Sequence, residues 1–220
     1  MNRIYLCENE KDIRRVYCDN ERVYTKADVL NAPEIFKATE YIFSTWGMPQ
    51  FTEEEIKAYL PSLKAVFYGA GTVQSFARPF LNCGVKIFSA WAANAVPVAE
   101  YTVAQIILAN KGFFSSSQLA KTGDRQAARQ NFCSYPGNYG VKVGIIGAGM
   151  IGSLVIQMLK AYQLDILVFD PFLPDEKADK LAAKKVSLET LFSECQVVSN
   201  HLADNKQTQG MLGGKLFETM

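Results

Sequence analysis

One histidine and five scattered cysteines in 220 residues leave little material for a metal site. Cys7, Cys18, Cys83, Cys133 and Cys195 include no C-x-x-C pair and are odd in number, which reads as reduced thiols in a cytoplasm rather than a disulfide framework. Charge of one sign is missing too. Lys and Arg number 23 against 22 Asp and Glu, a net +1, so the chain offers no basic field to a nucleic acid. The first ten residues, Met1 to Glu10, lack the apolar core of a secretory signal. No uncharged apolar stretch approaches membrane-spanning length, and no membrane partner is expected. Low-complexity tracts and internal repeats are absent as well.

Apolar residues are plentiful at 49%, enough for buried cores, and the length is long for one domain but short for two complete ones. Strand-like runs at Arg3 to Leu6, Tyr41 to Ser44, Lys64 to Tyr68 and Val85 to Ser89 alternate with helical segments. Thr25 suits the cap of a short helix reaching Leu30. Thr52 followed by Glu53, Glu54 and Glu55 is a capping box with acids at the positive end of the dipole. Residues 72 to 82 read as a helix stopped by Gly84. This alternation predicts a parallel sheet covered on both faces. Pro97 suits a first helical turn, with an apolar stripe running on to Leu108, then a polar helical stretch from Ser115 to Gln130 interrupted by Gly123. Domains are expected over residues 1–95 and 96–220.

The most specific stretch runs from Val141 to Asp170. A strand-like run, Val143 to Ile146, meets Gly147, Gly149 and Gly152 in G-x-G-x-x-G spacing. A helical pattern follows, with Leu154, Val155, Met158 and Leu159 as its apolar stripe. A second run, Ile166 to Phe169, ends at Asp170. An acid about 20 residues past the glycines completes a dinucleotide fingerprint. Gly147 turns the chain out of the strand, Gly149 leaves room for a pyrophosphate, and Gly152 lets helix and sheet approach. The free N–H groups of Met150, Ile151 and Gly152 face an anion. Asp170 accepts from the ribose hydroxyls and repels a 2′-phosphate, which favours NAD over NADP.

Four stretches together resemble the D-isomer-specific 2-hydroxyacid dehydrogenase family, which contains phosphoglycerate, D-lactate and formate dehydrogenases. They are Tyr68 to Gly71, Asn94 to Glu100, the fingerprint ending Phe169-Asp170-Pro171, and Val197 to Leu202 with Thr208 following. The resemblance implies an α/β chain, with a flavodoxin-like N-terminal domain and a partial Rossmann dinucleotide-binding domain. It implies NAD as cofactor and a small 2-hydroxy or 2-keto acid as substrate. It places the backbone N–H groups of Ala70 and Gly71 on the substrate carboxylate and Asn94 near the nicotinamide. Leu202, Ala203 and Thr208 fall on the adenine side. Where the family usually has proline, Ala203 stands, so a less rigid loop is expected. The region 98–130 corresponds to the family's two-fold dimer contact, so a homodimer is expected.

Family members also carry an arginine, an acid and a catalytic histidine, all beyond the segment resembling Gly210 to Gly213. Here no arginine follows Arg129, and the one histidine, His201, matches a strand-end position near the cofactor loop instead. No catalytic residue is therefore assigned within these residues. The sequence supports either an NAD-dependent oxidoreductase lacking its C-terminal catalytic segment, and so inactive in this form, or a non-catalytic NAD-binding or regulatory module.

Overall fold

The computed structural model describes residues 2–17 and 20–220, so Cys18 lies outside the described residues; Cys7, Cys83, Cys133 and Cys195 are free thiols. The chain forms two compact units, residues 1–94 and 95–220.

The first unit runs β1 (Arg3–Leu6), α1 (Glu10–Tyr17), β2 (Val23–Tyr24), α2 (Lys26–Asn31), α3 (Pro33–Phe36), β3 (Tyr41–Ser44), α4 (Glu53–Tyr59), β4 (Ala65–Tyr68), α5 (Ala77–Asn82) and β5 (Lys86–Ser89). All strand pairs are parallel, in the order β2-β1-β3-β4-β5, which is the flavodoxin-like order. Two capping boxes open the helices that the sequence marks. Thr25 and Asp28 cap α2, and Thr52 and Glu55 cap α4, each satisfying two otherwise unpaired N–H groups. Ile4, Leu6, Ile42, Val66, Phe36, Ile56 and Phe80 fill the core of one sheet face. Helix α1 covers the other through Ile13 and Tyr17. The Tyr17 hydroxyl lies 2.8 Å from the Ser44 carbonyl and 2.9 Å from that of Phe67, and burial pushes its phenol up to about 12.

The helix expected from residue 72 begins only at Ala77. Pro79 explains the late start. Lacking an N–H, it is tolerated in a first turn but breaks a helix interior.

Helix α6 (Trp91–Asn110) reverses the expectation for Pro97. The helix starts six residues earlier and holds the proline inside it. At 20 residues α6 is long and apolar enough to cross a membrane by length and composition, but Glu100 interrupts it, so it is not an uncharged apolar stretch of that length. Its buried residues Ala99, Val103 and Ile106 belong instead to the core of the second unit.

The second unit continues with α7 (Phe113–Lys121), α8 (Arg125–Ser134), β6 (Val141–Ile146), α9 (Met150–Leu159), β7 (Leu164–Phe169), α10 (Asp175–Lys180), β8 (Lys184–Lys185), α11 (Leu188–Glu194), β9 (Val197–Asn200) and α12 (Gly214–Phe217). Gly123, at φ +86°, separates α7 from α8, and Asp124 caps the latter by accepting from the Ala127 N–H at 2.8 Å. The sheet is parallel, ordered β8-β7-β6-β9. Strand order therefore reverses between β6 and β9. In open α/β sheets the crevice beyond the strand ends at such a reversal is where ligands bind. The buried stripe of α9 is Gly152, Val155, Ile156 and Leu159; Leu154 and Met158, expected in it, are only partly buried at its margin.

Candidate functional site

Three strand ends meet at this reversal because the backbone ladder extends one residue past each strand. Gly147 donates its N–H to the Phe169 carbonyl at 2.8 Å, and His201 donates to the Ile146 carbonyl at 2.8 Å. These bonds set the glycine turn after β6 beside Asp170 on one side and His201 on the other. Together they border a cavity of about 490 Å³ lined by Gly147, Gly149, Asp170, Leu202, Ala203 and Thr208, all singled out in the sequence.

The glycines differ in what they do. Gly147 has φ +85° and lies so close to the His201 carbonyl that an added Cβ would stand 3.1 Å from that oxygen. A Cβ on Gly152 would overlap the Gly147 carbonyl oxygen, with the carbonyl carbon at 3.0 Å. Gly149 faces open space, with nothing within 4 Å of where its Cβ would be. Helix α9 then begins with no side-chain cap. The first N–H groups of Met150, Ile151 and Gly152 have no intrahelical partner by helix geometry, and aligned dipoles make that end favourable to an anion. Met150, Ile151 and Gly152 are not among the residues that line the cavity; what they offer an anion is the backbone at the start of α9. This open backbone cradle fits a pyrophosphate.

Asp170 is doubly engaged. Its Oδ2 accepts from the Ala148 N–H at 2.8 Å and its Oδ1 from the Phe172 N–H at 2.9 Å. It thus ties the glycine turn to the loop after β7. Ser153 reinforces that turn by donating to the Ala148 carbonyl at 2.7 Å.

The loop after β9 has its own brace. The Thr208 hydroxyl donates to the Ala203 carbonyl at 2.5 Å, and Asn205 Oδ1 accepts from the N–H groups of Gln207 at 2.9 Å and Thr208 at 3.2 Å. Side-chain bonds brace the loop where proline is missing at Ala203. Phe172, Asn205, Gln207 and Met211 also line the cavity and were not singled out in the sequence, whereas Pro171 closes the fingerprint stretch. Proximity to Asp170 was the only available signal for Phe172; the others sit in a loop without periodicity.

His201 lines the cavity with its Nε2 at 3.0 Å from Ser199 Oγ. Burial lowers its pKa below the ordinary 6.5. The unfolded chain therefore holds the proton more readily than the folded one, so this contribution to stability is complete above about pH 6.5 and is lost as pH falls through the folded value. Thermal unfolding between pH 7.5 and 5 should show a falling melting temperature, and His201→Gln should flatten that slope. An unchanged slope in the variant would rule His201 out as its source.

Ala70, Gly71 and Asn94 lie in the first unit. Ala70 is fully buried and Gly71 partly exposed. Ser89 Oγ lies 2.9 Å from the Ala70 carbonyl and 2.5 Å from that of Gly71, and its proton holds the turn. Among the described residues no hydrogen bond engages the N–H groups of Ala70 or Gly71. The Asn94 side-chain nitrogen stands 3.2 Å from where a Cβ on Gly71 would be.

Residues 103–220 match the family model described as D-isomer specific 2-hydroxyacid dehydrogenase, NAD binding domain. The chain belongs to that family. NAD is the cofactor of the family's binding domain, and the open cradle with Asp170 beside it fits that dinucleotide. A D-3-phosphoglycerate dehydrogenase of Archaeoglobus fulgidus is 28% identical over 137 residues, which is 62% of this chain and 25% of that protein. The D-lactate dehydrogenase of Escherichia coli is 30% identical over 137 residues, 62% of this chain and 40% of its own length. The holo D-mandelate dehydrogenase of Rhodotorula graminis superposes with a TM-score of 0.77 at 18% identity, covering 100% of this chain and 70% of that one. D-lactate dehydrogenase from Aquifex aeolicus, complexed with NAD and lactic acid, gives 0.69 at 20% identity, covering 100% and 66%. These structural likenesses are of fold. The chain spans between a quarter and two fifths of the two curated relatives.

Proposed function

We propose that this chain serves an NAD-dependent oxidoreductase that moves a hydride between the cofactor and a small D-2-hydroxy acid or 2-keto acid. The observation that carries the reading is the shared cavity, in which the open backbone at Gly149 and the carboxylate of Asp170 stand at a reversal of strand order. In this reading Gly147 and Gly149, with the N–H groups of Met150, Ile151 and Gly152, hold the pyrophosphate. Asp170 accepts from the adenosine ribose, and Leu202, Ala203 and Thr208 border the adenine. Asn94 belongs beside the nicotinamide. The unengaged N–H groups of Ala70 and Gly71 take the substrate carboxylate, Gly71 being the more accessible of the two. The free thiols agree with a cytoplasmic setting.

Hydride transfer also needs a group that moves the hydroxyl proton and a cation that polarises the carbonyl. No arginine follows Arg129 in these 220 residues, and His201 is the one histidine. This stretch by itself is therefore proposed to bind NAD without turnover, which is also how a non-catalytic NAD-binding module would behave. Calorimetric titration with NADH, followed by an oxidation assay with glyoxylate, pyruvate and hydroxypyruvate, tests both halves. Binding without turnover is expected. Turnover near about 1 s⁻¹, abolished by Gly149→Trp, would show that the proton is moved by a residue present here, His201 first among them.

A homodimer through residues 98–130 is part of the same proposal. Tyr101, Phe113 and Phe114 leave 67%, 46% and 44% of their surface exposed on α6 and α7, more apolar surface than a solvated helix needs. Sedimentation as a monomer at micromolar concentration would remove the dimer from the reading.

A further inference from the structure

Tyr17 ends α1 with a hydroxyl that packing alone does not need. Its ring meets Tyr5 and Phe43 at centroid separations of 5.4 and 5.8 Å, and a phenylalanine would fill the same place. What the hydroxyl adds is a grip on two carbonyls, that of Ser44 at 2.8 Å and that of Phe67 at 2.9 Å. A phenol has one proton, so the two acceptors share it. Burial pushes the phenol up to about 12, which keeps that proton in place at any working pH. The two carbonyls belong to the closing residues of paired strands, Ser44 of β3 and Phe67 of β4.

Gly69, the first residue past β4, is held at the same spot. Its N–H donates to that same Ser44 carbonyl at 2.8 Å. A Cβ built on it would stand 2.4 Å from Val16 Cγ1 and 3.2 Å from the Tyr17 hydroxyl oxygen. The last turn of α1 therefore lies directly on Gly69, and a missing side chain is what allows it. Glycine has more backbone freedom than any other residue, and here its neighbours take that freedom away. Next in the chain come the N–H groups of Ala70 and Gly71, which the reading above gives to the substrate carboxylate. Their direction depends on the backbone at Gly69, while Ser89 holds the carbonyls of the same two residues.

Resting on that reading, we propose that Tyr17 is a positioning residue for the substrate carboxylate. By holding the ends of β3 and β4 and closing on Gly69, it aims the N–H groups of Ala70 and Gly71 without touching the substrate. Donors fixed in advance bind an anion without a further ordering cost.

The test titrates pyruvate into the isotope-labelled 220-residue chain and follows the amide resonances of Ala70 and Gly71. Tyr17→Phe keeps the ring and deletes the shared proton. It should weaken pyruvate by about threefold to tenfold, the range that one neutral hydrogen bond spans. The same two amides should also shift before any ligand is added. ADP-ribose, which carries the adenosine half of the cofactor without the nicotinamide, should bind the variant as it binds the unmutated chain. Phe43→Leu loosens the same rings and leaves the Tyr17 hydroxyl in place, so it should lower the melting temperature and leave pyruvate affinity unchanged. Val16→Ala removes the second contact on Gly69 and should also weaken pyruvate; it takes over the test if Tyr17→Phe melts too low to titrate. Unchanged pyruvate affinity in the variant that folds, or an equal loss in Phe43→Leu, overturns positioning and leaves the carboxylate assignment standing. Pyruvate that moves neither amide in the unmutated chain overturns both.

Discussion

Gly152→Ala should destabilise the second unit by roughly 3 kcal/mol, while Gly149→Ala should leave stability within about 1 kcal/mol and still abolish tight NAD binding. The two substitutions add the same methyl group to glycines three residues apart. Their surroundings differ. At Gly152 the new Cβ overlaps the carbonyl oxygen of Gly147. That atom is backbone in a turn already held by the Gly147 N–H on Phe169 and by the closeness of His201, so it cannot retreat without moving β6, β7 and β9 apart. The cost belongs at the upper end of the range for overpacking, because no flexible side chain can swing away. Gly149 has φ −67°, which any residue adopts, and an empty surround. Its methyl meets nothing in the protein and instead fills space reserved for the pyrophosphate. Urea unfolding and ADP-ribose titration on both variants separate the two roles. Should Gly152→Ala unfold like the unmutated chain, the close approach of α9 to the turn does not exist in solution.

The dinucleotide unit was legible because three independent signals fall in one stretch. The glycines mark a turn that only a missing Cβ allows, the apolar runs have strand length, and the acid closes the second strand at the distance a β-α-β unit imposes. Other parts had no such redundancy. Helix α1 was invisible because Glu10 to Tyr17 carries five charges in eight residues and only Ile13 is deeply buried. Pro97 misled for the opposite reason. Proline is strongest as a start signal, and the apolar packing of Ala99, Val103 and Ile106 outweighs the hydrogen bond it removes from the middle of α6. Ala70 and Gly71 could be singled out only through resemblance, since a turn with paired glycines is common. What the fold adds is the bond from Ser89, which comes from the neighbouring strand and no local pattern announces it. The brace by Thr208 escaped similarly: its expected place was beside adenine, and its hydroxyl turns out to be spent within its own loop. Phe172 shows the deepest limit. It lies outside every run singled out in the sequence, and only the fold reveals that its ring is exposed.

Asp170→Ala should reduce NAD affinity by about 10²-fold and at the same time collapse the preference for NAD over NADP. Three losses coincide in this one substitution. The carboxylate stops accepting from Ala148 and Phe172, so the glycine turn and the loop after β7 are no longer tied together. Ribose hydroxyls lose their acceptor: each carboxylate oxygen carries a second lone pair, so the backbone bonds seen here do not exhaust Asp170. Hydrogen bonds to a charged group are worth roughly 1.5–3 kcal/mol each, which sets the expected fall. The third loss is of negative charge. A unit charge 4 Å from a unit of phosphate charge costs about 4 kcal/mol at an effective dielectric of 20, and solvent at this partly exposed site reduces that to a discrimination of roughly 10²-fold. Asp170→Asn separates the effects. The amide keeps the shape and one acceptor oxygen but no charge, so discrimination should vanish while part of the NAD affinity remains. Salt provides an independent check, because only the charge is screened. Raising ionic strength from about 0.05 to 0.5 M should narrow the NAD-over-NADP ratio of the unmutated chain and leave that of Asp170→Asn flat. Equal affinities for the two cofactors in the unmutated chain would mean that the carboxylate serves only to tie the turn, and that the charge at the end of β7 does not choose the cofactor.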